Sequence, residues 1–167
     1  DVDTANGTTF IVGPGLSIQE AIDKAQPGDT IEIRDGTYTE NLVIDKALNF
    51  VGDGGVTIQS ASGSAISFSG DLGGGDVSFS GIDLVGTGAG IGILVGAGSD
   101  IGTLTFTDGD ISGFSNRGIY STDYIGVNRV DTLGKIVVSD ANFFGNGTGA
   151  GNTADVKLFG FDGEAVF

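Results

Sequence analysis

The residues of this chain best suited to chemistry are carboxylates at recurring positions. Asp83, Asp110 and Asn142 fall at matching points of a repeated pattern, with Asp108 and Asp140 close by. Stacked on neighbouring windings, their oxygens would form an outward ladder able to share Ca²⁺, which takes about six to eight oxygen ligands at roughly 2.3–2.6 Å. The competing reading is a solvated polar face. Two carboxylates one strand apart repel by only about 1 kcal/mol in water, so an exposed ladder needs no metal, and Asn142 can serve as one rung of a stacked amide row. Asp71, Asp76, Asp100 and Asp123 are a second acidic set, beside Gly73-Gly74-Gly75. Gly and Asp both tolerate positive φ and shape tight corners, so turn chemistry accounts for them better than calcium does.

Other chemistries are excluded by residue type. The chain has no His and no Cys, which removes serine and cysteine triads, zinc sites, iron–sulfur ligation and disulfides. Glycoside hydrolysis needs two carboxylates about 5 to 9.5 Å apart, but among 22 acidic residues some pair meets that spacing by chance. Gly134-Lys135 lacks the glycine before it and the Ser or Thr after it that a phosphate-binding loop requires. No catalytic or cofactor-binding residue is assigned. A formal charge of −15 repels phosphate backbones and anionic lipid surfaces, so nucleic acid is not an expected partner, whereas cations and neutral polymers are.

Outward Ser and Thr rows (Ser78, Ser80, Thr103, Thr105, Thr107, Ser139) suit the exposed face of any strand and would also make a flat hydroxyl surface for sugar or ice. Tyr120 and Tyr124 lie in or beside an expected insertion, where a ring could stack on a sugar, although packing over the loop is favoured. Asn6-Gly7-Thr8 and Asn146-Gly147-Thr148 carry the N-glycosylation pattern, but Asn-Gly pairs are first of all turn formers.

The elements that must position these residues are short strands. At 39% hydrophobic over 167 residues, the chain is too apolar for a disordered acidic tail and long enough for a core. One helix is expected near the start: Ser17 as N-cap, Glu20 completing a capping box, and Ile18, Ala21, Ile22 and Ala25 on one face, stopped by Gln26-Pro27-Gly28-Asp29. Strands follow at Thr30 to Arg34, Leu42 to Ile44, Leu48 to Val51, Val56 to Gln59 and Ala65 to Phe68. Val77 to Leu84 then aligns with Leu104 to Ile111 and with Ile136 to Phe143, and Leu48 to Gly52 is a weaker earlier copy. A second series, Ile66, Ile93, Ile119 and Val156, keeps step with the first.

Two registers advancing together imply a solenoid of roughly 25 to 30 residues per coil. Val77, Phe79, Ile82 and Leu84 would face inward, and Ser78, Ser80 and Asp83 outward. Tyr120 to Leu133 and Gly145 to Asn152 would be side loops, and the helix would cover the first coil's strand edges. The longest uncharged stretch, Leu84 to Ser99, reads as strand, turn, strand, too short and glycine-rich for a membrane span.

The run Ser17-Ile18-Gln19-Glu20-Ala21-Ile22, then Gly28-Asp29-Thr30-Ile31, Asp35-Gly36-Thr37-Tyr38-Thr39-Glu40-Asn41-Leu42-Val43-Ile44 and Val51-Gly52-Asp53-Gly54 resembles the opening of the pectin lyase-like right-handed parallel β-helix superfamily. It is similar both to pectin methylesterases and to non-enzymatic periplasmic and surface members. The resemblance is specific over about residues 14 to 58 and architectural beyond. It implies an all-β right-handed parallel β-helix with one N-terminal capping helix: 1–29 as strand and helix, 30–167 as stacked coils. The esterases' Gln-Asp-Thr and Asp-Phe-Ile-Phe-Gly motifs are absent. Arg117, Arg129 and Lys135 lack the surroundings of the lyases' catalytic bases.

The expectation is therefore a non-catalytic module, secreted or at the cell surface, for adhesion, carbohydrate binding or surface and filament assembly, with calcium as the only cofactor considered. The alternative is the N-terminal part of a polysaccharide lyase, pectin esterase or glycoside hydrolase whose active site lies outside this segment. Lacking Met, the chain reads as a mature form or excised piece. Val156 to Phe167 still reads as strand with no polar cap, so either further protein or an identical subunit is expected to cover that end.

Overall fold

The computed structural model describes residues 7–88, 90–122, 133–148, 154–158 and 164–167. The chain opens with β1 (Thr9–Val12), α1 (Ile18–Lys24), β2 (Thr30–Thr39), β3 (Leu42–Ile44), β4 (Asn49–Ser60) and β5 (Ser64–Phe68). It continues with β6 (Gly75–Gly86), β7 (Ile91–Val95), β8 (Ile101–Thr107), β9 (Ile111–Ser112) and β10 (Arg117–Ser121). The last described strands are β11 (Leu133–Ser139), β12 (Phe143–Phe144), β13 (Ala154–Leu158) and β14 (Glu164–Val166). The described residues are all-β in character, with parallel sheets and one helix.

One nine-stranded sheet runs β1-β2-β4-β6-β8-β11-β14, with β9 pairing to β6 and β12 to β9. A five-stranded sheet runs β3-β5-β7-β10-β13. Successive strands leave one sheet, join the other and return one place further on. The repeat alignment coincides with the pairing: Phe50 lies beside Phe79, Phe79 beside Phe106 and Phe106 beside Val138. In the second sheet Ile66, Ile93, Ile119 and Val156 are consecutive partners.

Alternation decides which side is dry. In β6, Val77, Phe79, Ile82 and Leu84 are buried while Ser78, Ser80 and Asp83 are not. The buried files from both sheets merge into one core. Within it the Phe50 and Phe79 rings stack at 4.7 Å and 10°, and Phe106 continues the column, tilted 40° at 6.3 Å from Phe79. Offset stacking of this kind adds about 0.5–1.5 kcal/mol to the burial itself.

The bend within β6, and the matching ends of β8 and β11, are turned by backbone handedness. Ser80, Thr107 and Ser139 are in register, and the residue after each is left-handed: Gly81 at φ 70°, Asp108 at 54° and Asp140 at 51°. Asp is among the few L-residues that reach this region readily. Asp108 and Asp140 are thus corner formers.

The helix differs in one detail from the expected capping box. Ser17 is the N-cap, and its hydroxyl accepts the Glu20 N–H at 3.3 Å. The Glu20 carboxylate instead lies 4.0 Å from Lys24 Nζ. Glu40, far along the chain, adds a second cap, its carboxylate lying over the helix start and accepting Ser17 Oγ and the Ile18 and Gln19 N–H groups. Ile18, Ala21 and Ile22 are buried, and α1 packs on β1, β2 and β3. It covers the first strands of both sheets, as a cap on otherwise open edges does.

Candidate functional site

Asp83, Asp110 and Asn142 come together in one file beside the paired strands. Asp83 Oδ1 accepts the Asp110 N–H at 2.8 Å. Asp110 Oδ1 in turn accepts both the Asn142 N–H at 3.0 Å and Asn142 Nδ2 at 2.9 Å. Each carboxylate therefore holds the backbone of the next winding where β6 passes into β9 and β9 into β12. Among the described residues, no group of three or more acidic side chains is arranged to hold a metal ion.

Asp71 and Asp100 sit at turns, whereas Asp76, in β6, holds the next winding as Asp83 does. Asp71 Oδ1 accepts the Gly73 N–H at 2.7 Å, Asp76 Oδ1 accepts the Thr103 N–H at 2.8 Å, and Asp100 is left-handed at φ 39°. Asp123, Tyr124, Arg129 and Asn6 lie outside the described residues, as do most of the expected insertions.

The outward face of the nine-stranded sheet carries regular polar files. Asn49, Ser78 and Thr105 are consecutive partners, and so are Ser80, Thr107 and Ser139. Rungs in such a sheet lie about 4.8 Å apart, giving two polar files that overlap on β6 and β8, with Val51 on β4 and Val137 on β11 completing the rows. Ser78 Oγ donates to Asn49 Oδ1 at 2.9 Å, which fixes two of these side chains. Charged pairs border the patch. Arg34 Nη1 sits 2.9 Å from Glu32 and 2.6 Å from Asp53, and Lys135 Nζ 2.6 Å from Glu164. The hydrogen bond to Asp53, and then the nearby Glu32 charge, raise the Arg34 pKa further. The patch itself is uncharged on a molecule of net charge −15.

Aromatic residues offer less than their types suggested. Tyr38 is buried, and its hydroxyl donates to the Arg34 carbonyl at 2.8 Å. Burial, and then the Asp35 and Glu40 charges, push its phenol above the ordinary value. Arg117 lies over the Tyr120 ring, 4.3 Å from the centroid, so that face is already covered by a guanidinium.

Sequence reasoning missed the side chains that fasten α1. Glu40 accepts Ser17 Oγ at 2.8 Å, the Ile18 N–H at 2.9 Å and the Gln19 N–H at 3.1 Å. Lys46 Nζ donates to the Ile22 carbonyl at 3.0 Å. A carboxylate thus meets the first turn and an ammonium the last, both favourable to the helix dipole. Gln19 completes the attachment: its amide accepts the Val43 N–H at 2.8 Å and donates to the Val43 carbonyl at 3.1 Å, replacing the missing neighbour of the β3 edge.

From sequence, Asn146 reads only as a turn former or glycosylation pattern, and Asp29 only as part of the helix stop. Asp29 is 6% exposed and accepts the Thr8 and Gln26 N–H groups, each at 2.7 Å. Asn146 Nδ2 donates to the Ile111 carbonyl at 2.8 Å, and its Oδ1 accepts the Phe114 N–H at 3.1 Å. The only local signals are Gly-Asp and Asn-Gly turn pairs, which do not reveal partners this distant.

No described helix is long and apolar enough to cross a membrane. No protein-family model, curated protein or solved structure matches the chain.

Proposed function

We propose that this chain is a right-handed parallel β-helix of the pectin lyase-like kind, acting outside the cell as a non-catalytic module that binds a neutral polysaccharide. The handedness follows from the strong preference of parallel crossover connections for the right hand, in about 98% of cases. The observation that carries the binding reading is the uncharged lattice of Asn49, Ser78, Ser80, Thr105, Thr107 and Ser139 on an acidic chain. A rung spacing of about 4.8 Å is close to the length of one pyranose unit in an extended glycan, so a chain lying across the strands would meet the paired hydroxyls of β6 and β8, with a polar and a valine side chain on the rungs to either side. Polyanionic glycans would be repelled by the surrounding charge.

In this reading the Asp83, Asp110 and Asn142 file is a backbone-holding ladder, and calcium has no structural part in it. Thermal unfolding in millimolar calcium and in chelator should then give one melting temperature, whereas a rise with calcium would restore the metal site.

Affinity electrophoresis tests the binding. The chain should be retarded in gels holding a neutral glucan or xylan and run freely in gels holding polygalacturonate. Thr107→Glu combined with Ser80→Glu should remove the retardation. Equal mobility in every gel would overturn the reading, and release of product from pectin or alginate would replace it with the enzymatic alternative.

A further inference from the structure

We propose that Asn146–Gly147 is a self-modification site, an asparaginyl–glycyl bond prone to losing ammonia, and that the folded winding holds it in check. Three bonds do so. Asn146 Nδ2 donates to the Ile111 carbonyl at 2.8 Å, Asn146 Oδ1 accepts the Phe114 N–H at 3.1 Å, and the Gly147 N–H donates to the Phe114 carbonyl at 2.8 Å. Gly147 itself sits at φ 68°, in the left-handed region.

The reaction needs the atoms these bonds occupy. The Gly147 backbone nitrogen, unhindered for want of a neighbouring Cβ, attacks Asn146 Cγ. A new C–N bond closes a five-membered imide while the bond from Cγ to Nδ2 breaks, and Nδ2 leaves as ammonia carrying the proton that Gly147 gives up. Water then adds to either imide carbonyl, opening the ring to aspartate or to isoaspartate. No oxidant or reductant takes part. With the Gly147 N–H donated to Phe114 and the amide held at both ends, the nucleophile and its target are both engaged in the folded rung.

Local opening of this winding releases all three groups together. Once hydrolysed, residue 146 presents a carboxylate oxygen where Ile111 requires a donor, and the isoaspartyl product also lengthens the main chain by one carbon and displaces the Gly147 N–H. The rung then cannot close as before. Asn146 is therefore a one-way latch, converted only when the winding beyond β12 has opened.

The natural chain, incubated at mildly alkaline pH and digested with trypsin, yields the fragment from Ile136 to Lys157, in which conversion adds one mass unit and separates isoaspartate by retention. The folded chain should react about tenfold or more slowly than a synthetic peptide of the same residues, with sub-denaturing urea closing the gap, because opening is the gate. Asn146→Asp, which keeps an acceptor for Phe114 but loses the donor to Ile111, should lower the melting temperature and remove hydrogen-exchange protection at the Gly147 amide. Equal rates in the folded chain and the peptide would overturn the proposal, and that comparison stands even if the variant does not fold. Full protection at the Gly147 amide in a folded Asn146→Asp chain would overturn the latch.

Discussion

Removing the Glu40 carboxylate should detach the helix from its coil, and the structure sets the size of the effect. Glu40 takes three donors, Ser17 Oγ and the Ile18 and Gln19 N–H groups, at 2.8, 2.9 and 3.1 Å. Hydrogen bonds to a charged group contribute about 1.5–3 kcal/mol each when sheltered. This site is partly exposed and water can solvate the freed amides, so the low end applies and the terms are not additive. Glu40→Ala should therefore cost about 2–3 kcal/mol, near the upper range for a lost helix cap. Glu40→Gln keeps an acceptor but loses the favourable charge at the helix start, and should cost about 1 kcal/mol.

Urea unfolding followed by circular dichroism gives the total. Hydrogen exchange at the Ile18 and Gln19 amides localises it, since a coil that unfolds from its cap loses protection there first. The penalty for Glu40→Gln should shrink in about 1 M salt, where charge effects are screened. Glu40→Ala with unchanged exchange at both amides and a loss below about 0.5 kcal/mol would refute the reasoning, because an ordinary surface substitution costs no more.

Three other outcomes follow from the same physics. Phe79→Ala, in the ring column between Phe50 and Phe106, should cost about 3–5 kcal/mol in chemical denaturation. Asp108→Gly should leave stability unchanged or slightly raised while Asp108→Val costs about 1–2 kcal/mol, since φ at this corner is 54° and a β-branched residue resists the left-handed region. The raised pKa of Tyr38, due to burial and then to Asp35 and Glu40, means the folded chain keeps the phenol proton longer than the unfolded chain. Its stabilising share is full below the ordinary value of 10.0 and is lost as pH rises from there through the folded pKa. The difference in stability between the natural chain and Tyr38→Phe, followed by urea titration from pH 8 to about 11.5, should be flat at first and then narrow. A difference constant across that range would contradict the shift.

How much was legible in advance depends on whether the signal was local. The Val77, Leu104 and Ile136 copies could be aligned because stacked strands reuse one inward pattern, and the pairing followed that alignment. Ser17 as N-cap was legible because its partner is three residues away. Glu40, Lys46 and Gln19 were not, because each meets a partner 21 to 24 residues away along the chain. The bonding of Asp83 and Asp110 to the backbone of the next winding was not legible, because it depends on the offset at which β6, β9 and β12 stack.

The amino-acid order alone determined the repeat, the alternation that separates core from surface, the acidic charge and the lack of imidazole and thiol chemistry, because these are properties of composition and of neighbours along the chain. Only the tertiary structure decided which carboxylates serve as caps, corners and rungs, and which hydroxyls share one uncharged face. Those roles arise where residues from successive windings meet, and a hydrogen bond between distant residues leaves no trace in the order of either one's neighbours.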